Sequence, residues 1–298
     1  MNPTNIAWYR VAGLVFGVST PFPELMVQIL PSYVPFRTAA PMAPEQRLFT
    51  LTTVQPDTLK DVEITEALAE DRNDLGRWKL SRTTDGFCVD LQYIEGHPWH
   101  RLVADRQFRT LQAGVRWEDP CAAEVVNSFT MMGFAQASVA YQTVLIHASV
   151  TLKDGKGYAF LGTSGTGKST HSQLWLKYIE NTELLNDDNP AIRILPEGDI
   201  KVYGTPWSGK TPCYKNKEAE LGAFVQLKQA PRNTFSFLKG IQAYMVLLAG
   251  SSSLKWNTEA YNAFGKTIER LANRIPVGYL ECLPDEEAAR ICYMNINK

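Results

Sequence analysis

Apolar and polar positions alternate in short blocks through the first part of the chain. Residues 1 to about 115 carry brief apolar runs broken by Pro21, Pro23, Pro31, Pro35, Pro41 and Pro44, a pattern that predicts short strands and turns. One stretch, DVEITEALAE over 61–70, has the composition of a helix. The texture changes near residue 119. After Asp119-Pro120, a cap and first helical turn, residues 121–144 are rich in Ala, Met, Phe and Val and lack proline. They predict a long, mostly buried helix. The chain thus divides into a smaller β-rich or α+β part over 1–115 and a second part over 116–298.

In the second part, Val144 to Val150 predicts a strand, Asp154-Gly155-Lys156-Gly157 a tight turn, and Tyr158 to Leu161 a second strand, so the pair reads as a hairpin. That strand runs into Gly162-Thr163-Ser164-Gly165-Thr166-Gly167-Lys168-Ser169-Thr170, which fits G-x-x-x-x-G-K-[ST] at every fixed position, and the helix-like HSQLWLKYIE follows. Glycines let a backbone curl until successive N–H groups point at one phosphate, and the helix N-terminus behind them adds to the attraction. In such a P-loop Lys168 reaches the β- and γ-phosphates, and the Ser169 hydroxyl ligates Mg²⁺. ATP and Mg²⁺ are the cofactors this spelling implies.

A P-loop needs an acidic metal partner on a nearby strand. Asp187 and Asp188, in LLNDD over 184–188, lie one helix after Lys168. A crossover would place them on a neighbouring parallel strand, with both carboxylates at the edge where phosphates sit. Beyond a strand at Ile200 to Tyr203, the loop YGTPWSGKTPCYKNK over 203–217 offers Lys210 as a further cation over the phosphates. Trp207 in the same loop can stack on a base or substrate, or fill a gap in the core. The remainder reads as architecture: a helix from Phe264 to Asn273, a strand from Val277 to Cys282, and a helix from Asp285 to Tyr293. His97 and His100 stand at i and i+3, but Pro98 between them disfavours a helix and no Cys or Glu lies at ligand spacing, so no zinc site is expected there.

Composition narrows the partners. The chain of 298 residues is 45% hydrophobic and 20% charged, and its 30 Lys+Arg against 31 Asp+Glu leave a net charge of −1. That balance gives no electrostatic case for nucleic acid or a membrane surface. The five scattered cysteines form no C-x-x-C pair, no secretory signal opens the chain, and no run of about 18 apolar residues occurs. A cytoplasmic protein follows, with a nucleotide and an acceptor as partners and a homo-oligomer compatible with the sequence.

Taken together, His147, Asp154-Gly155-x-Gly157, the P-loop at 162–169 and Asp187-Asp188 make the chain resemble the catalytic half of HPr kinase/phosphorylase, and above all the divergent HPr-kinase-like proteins of bacteria. The match is good over about 144–210 and loose over 116–298. It implies an α/β fold with a P-loop-containing mixed sheet flanked by helices, of the type shared with ATP-dependent phosphoenolpyruvate carboxykinase. It further implies that Gly162 to Ser169 hold ATP, that Asp188 is the base for a substrate hydroxyl, that Asp187 supports the metal or Lys168, and that His147 assists beside the phosphates. A lone histidine ending an apolar strand is otherwise a hydrogen-bonded core residue. The family's Glu-x-Arg-Gly signature is absent: the corresponding stretch from Val202 to Lys210 holds no acid. The function implied is an ATP- and Mg²⁺-dependent kinase acting on a hydroxyl of a small molecule, peptide or protein. The alternative is a nucleotide-binding regulatory or scaffold protein.

Overall fold

Strands are the main regular structure before residue 115, and along Arg47–Val54 and His100–Asp105 buried and exposed positions alternate with a period of two. The computed structural model describes residues 6–73, 76–209, 211–252 and 255–297. Its chain forms two units, Met1–Ser138 with Lys255–Asn257, and Val139–Leu254 with Thr258–Lys298.

In the first unit the elements are β1 (Ile6–Val11), β2 (Leu14–Ser19), the single turn α1 (Met26–Ile29), β3 (Arg47–Val54), β4 (Ile64–Asn73), β5 (Gly76–Thr83), β6 (Gly86–Gln92), β7 (His100–Asp105), β8 (Thr110–Gly114) and α2 (Ala122–Ala137). They build an eight-stranded sheet in the order β1-β2-β3-β8-β7-β6-β5-β4, parallel only at β2–β3 and β3–β8. Val125, Val126, Phe129 and Phe134 form the buried face of α2, which packs on β3 and β8. The helix comes close enough that a Cβ on Gly133 would lie 2.5 Å from Leu111 Cδ1.

Two expectations change here. No helix forms over 61–70: Ile64 onward enters strand β4, since pairing with β5 (Ala69 opposite Leu80, Asp71 opposite Trp78) overrides the helical propensity of Glu and Ala. The boundary between the units falls after Ser138 rather than at 115, because α2 buries its apolar face within the first unit.

The second unit comprises β9 (Thr143–Leu145), β10 (Ala148–Lys153), β11 (Lys156–Leu161), α3 (Lys168–Tyr178), β12 (Thr182–Asp188), β13 (Ala191–Ile194), β14 (Ile200–Tyr203), β15 (Glu218–Gln229), β16 (Thr234–Leu238), α4 (Ile241–Ala249), α5 (Thr258–Arg274), β17 (Val277–Cys282) and α6 (Glu286–Ile296). Its mixed sheet runs β12-β10-β11-β15-β14-β13-β9, with β17 joining β15 and β16 joining β17. Strands β11, β15 and β17 are parallel neighbours. Alternation along β11 divides the core: Ala159 and Leu161 pack with Leu247, Phe264, Ile268 and Leu271 of α4 and α5, while Tyr158 and Phe160 pack with Trp175 of α3 and Cys292 of α6. The Asp285 side chain caps α6 by accepting from the Ala288 N–H at 2.9 Å.

The expected hairpin is β10–β11, with Lys153 opposite Lys156 across Asp154-Gly155. The run from Val144 to Val150, however, is two strands. Leu145 pairs with Ala191 of β13, whereas Ala148 pairs with Leu161 and Asp188 on the far side of the sheet. Nor is β12 a parallel neighbour of β11. β10 lies between them, antiparallel to both, so β12 shares the direction of β11 and ends at the same edge. All five cysteines are free. Among the described residues no helix is long and apolar enough to cross a membrane.

Candidate functional site

The loop from β11 to α3 needs its glycines. Gly162, Gly165 and Gly167 have φ of +155°, +81° and +106°, values that side-chain-bearing residues avoid. Side chains hold the loop's carbonyls. Lys168 Nζ donates to Gly162 O at 2.9 Å, and Gln229 Nε2, at the end of β15, donates to Gly165 O at 3.2 Å and Thr166 O at 3.4 Å. The Thr163 and Thr166 hydroxyls stand 2.9 Å apart, and Thr166 N–H donates to Thr163 O. Thr163, Ser164, Gly165, Ser169 and Thr170 are exposed, whereas Lys168 is buried. A cleft of about 490 Å³ opens beside the loop, lined by Thr163 to Thr166, by Gln226 to Gln229 and by Tyr279.

His147 sits where the chain leaves β9 and enters β10, its own N–H donating to Gly250 O at 2.7 Å. That break turns its ring toward Lys168 and Asp188. Lys168 Nζ is 2.8 Å from His147 Nε2, and His147 Nδ1 is 2.7 Å from Asp188 Oδ1. An ammonium only donates, so Nε2 accepts and Nδ1–H donates to the carboxylate, which fixes the ring as the Nδ1–H tautomer. Asp188 Oδ2 accepts from Asn189 Nδ2 at 2.6 Å. A carboxylate has about four acceptor positions, so both oxygens keep capacity for another donor.

Asp187 differs from its neighbour. It is 3% exposed, and its Oδ2 has no hydrogen-bond partner among the described residues. An ionised buried oxygen left so is costly unless a cation or donor meets it. Asp187 is the cross-strand partner of Ser149, whose hydroxyl meets Ser172 of α3 at 2.6 Å, so Asp187 belongs to the sheet face that α3 covers. The orphaned oxygen and the exposed Ser169 hydroxyl at the start of α3 are hard oxygen donors that fit Mg²⁺.

The chain from Gly204 to Gly209 packs against the aspartates. Gly209 N–H donates to Asp187 O at 2.6 Å, Ser208 bridges Asp188, and Asn186 donates to Thr205 Oγ1 at 3.1 Å and Trp207 O at 3.2 Å. The stacking role for Trp207 is corrected: at 3% exposure its ring belongs to the core and offers no face to a base. Lys210 lies outside the described residues. Asn186, Asn189 and Gln229 hold the site together without any spacing signal in the sequence; Asn186 and Asn189 merely flank the Asp pair, where Asn reads as a turn former.

No family model matches this chain, and no curated protein matches it either. Among solved structures it is similar to the Hpr(Ser) kinase/phosphatase from Coxiella burnetii, at 12% identity and a TM-score of 0.31, over 52% of this chain and 99% of that one. A likeness at that level leaves the site to be argued from its own residues.

Proposed function

We propose that the second unit is an ATP- and Mg²⁺-dependent kinase that transfers a γ-phosphate to a hydroxyl group. The observation that carries this reading is the chain Lys168–His147–Asp188, which joins the lysine of a P-loop sequence to a carboxylate within two hydrogen bonds. Phosphoryl transfer proceeds through a loose transition state and asks chiefly for positioning and positive charge.

In this reading the backbone of Gly162 to Gly167 cradles the phosphates and Lys168 places its charge beside the transferred group. Asp187 and Ser169 would hold Mg²⁺, which would supply positive charge against the phosphate oxygens. Asp188 accepts the proton of the acceptor hydroxyl as its oxygen bonds to phosphorus and the bond to the β-phosphate oxygen breaks. His147 holds the Asp188 carboxyl group in position through Nδ1–H.

The absence of an acid over 203–209 favours a second reading, a regulatory protein that binds nucleotide without transferring phosphate. One comparison separates them: Mg-ATP binding, and label transfer from γ-labelled ATP to a panel of hydroxyl compounds and peptides, in the wild type and Asp188→Asn. Under the kinase reading the variant binds ATP within a few-fold of wild type and loses transfer by 100-fold or more. Equal transfer in both proteins would remove Asp188 as the base. Tight binding with no transfer to any acceptor would support the regulatory reading.

A further inference from the structure

His97, Asp119 and Cys121 meet in the first unit, although the β6–β7 connection and the approach to α2 are separate stretches of chain. The His97 end is fixed by its own backbone: its N–H donates to Ile94 O at 3.0 Å, and its carbonyl accepts from Gln92 Nε2 at 2.8 Å. Asp119 is buried, and it organises the start of α2. Its Oδ1 accepts from the Cys121 N–H at 2.9 Å and its carbonyl accepts from the Ala122 N–H at 3.0 Å. His97 Nδ1 stands 2.9 Å from Asp119 Oδ1, and His100 Nε2 stands 3.0 Å from Oδ2. One ligand atom from each of His97, Asp119 and Cys121 lies within 4.8 Å of the other two.

We propose that His97, Asp119 and Cys121 form a binding site for a divalent cation of the zinc class, separate from the magnesium site of the second unit. The donor set carries the choice of ion. Imidazole nitrogen, carboxylate oxygen and thiolate sulfur together suit Zn²⁺ or Co²⁺, whereas Mg²⁺ and Ca²⁺ select oxygen alone. Zinc bonds of about 2.0–2.3 Å place tetrahedral ligand atoms roughly 3.3–3.8 Å apart, so His97 Nδ1 and Asp119 Oδ1 part slightly and the set closes on the ion within its 4.8 Å span. The His97 side chain is 32% exposed, so solvent reaches that side and supplies a fourth ligand.

His100 completes the arrangement without being a ligand. It is fully buried, and its Nδ1 accepts from the Arg116 N–H at 3.2 Å, so the Nε2 proton is the one given to Asp119 Oδ2. A histidine that orients a ligating carboxylate in this way is an outer partner of the kind metal sites employ. Binding balances simply. The Cys121 thiol releases its proton to solvent and ligates as thiolate. His97 ligates through Nδ1 with its remaining ring proton on Nε2, any second proton leaving to solvent as Nδ1 exchanges its bond with Asp119 for the ion. The ion would tie the β6–β7 connection to the first turn of α2.

The full chain, stripped with chelator, is titrated with Co²⁺ and then with Zn²⁺. One equivalent of Co²⁺ is expected to bind with a thiolate-to-cobalt charge-transfer band, and Zn²⁺ is expected to displace it. Cys121→Ser should abolish the band. His97→Ala, at a partly exposed position, should weaken Zn²⁺ binding at least tenfold by calorimetry. The metal-free thermal midpoint of each variant shows that it has folded. No Co²⁺ binding to the wild type overturns the proposal. So does a charge-transfer band that survives Cys121→Ser, which would place the ion on Cys88, Cys213, Cys282 or Cys292, and so does unchanged Zn²⁺ affinity in His97→Ala.

Discussion

The Nζ of Lys168 and the Nε2 of His147 stand 2.8 Å apart, and the same imidazole reaches Asp188 through its other nitrogen at 2.7 Å. One neutral ring therefore bridges a cation and an anion, and it dictates how both present themselves. Lys168 and Asp188 belong to different elements, the first turn of α3 and the last residue of β12. His147 can join them only because the chain breaks between β9 and β10 at that residue.

His147→Ala is expected to lower phosphate transfer by about 10²-fold, near the lower end of what a positioned proton-transfer group contributes. ATP affinity should stay within a few-fold, because Lys168 keeps its bond to Gly162 O. Unchanged turnover would make His147 a spectator.

Gly133→Ala tests the packing of α2. The new Cβ would fall 2.5 Å from Leu111 Cδ1 and 3.4 Å from Phe49, inside a close-packed core. Overpacking of this kind costs about 1–3 kcal/mol, partly offset by the better helix propensity of alanine. Denaturant unfolding should show a lower midpoint with an unchanged slope. A stabilised variant would mean that Leu111 moves aside freely.

His171 predicts a pH dependence of stability. It is buried beside Phe160, with Nε2 accepting from Trp175 Nε1 at 3.1 Å, and burial pushes its pKa down to about 4. The folded state thus favours the neutral ring. Its contribution is complete above the unfolded value of 6.5 and is lost as pH falls from there toward 4, on the order of 3 kcal/mol at pH 4. His171→Gln keeps an acceptor for Trp175 and removes the titration. Unfolding free energies of the two proteins should diverge between pH 7 and pH 4, the wild type falling more steeply. Parallel curves would contradict the burial argument.

Legibility in the sequence followed the range of the forces involved. The β10–β11 hairpin, the glycine loop and α3 could be read because Asp154-Gly155 and Gly162 to Gly167 are local backbone requirements. The helix expected over 61–70 failed because strand pairing with β5 is a tertiary effect that local propensity does not see. The single strand expected from Val144 to Val150 failed for a related reason. Its apolar run is continuous, yet its halves pair with β13 and with β11 and β12. At the candidate site, Asp187, Asp188 and Lys168 were legible as chemistry, whereas Asn186 and Gln229 act through contacts that no spacing announces. Trp207 was ambiguous between stacking and packing, and its burial decides for packing.

The most direct measurement is thermal unfolding with and without Mg-ATP, wild type beside Lys168→Ala. Nucleotide at about a hundred times its Kd stabilises a binding protein by about 2.7 kcal/mol, which for a unit of this size raises the midpoint by roughly 5–10 °C. The account predicts a shift of that order in the wild type and its loss in Lys168→Ala. An equal shift in both proteins would contradict the role given to Lys168, and no shift in either at millimolar Mg-ATP would contradict the nucleotide site itself.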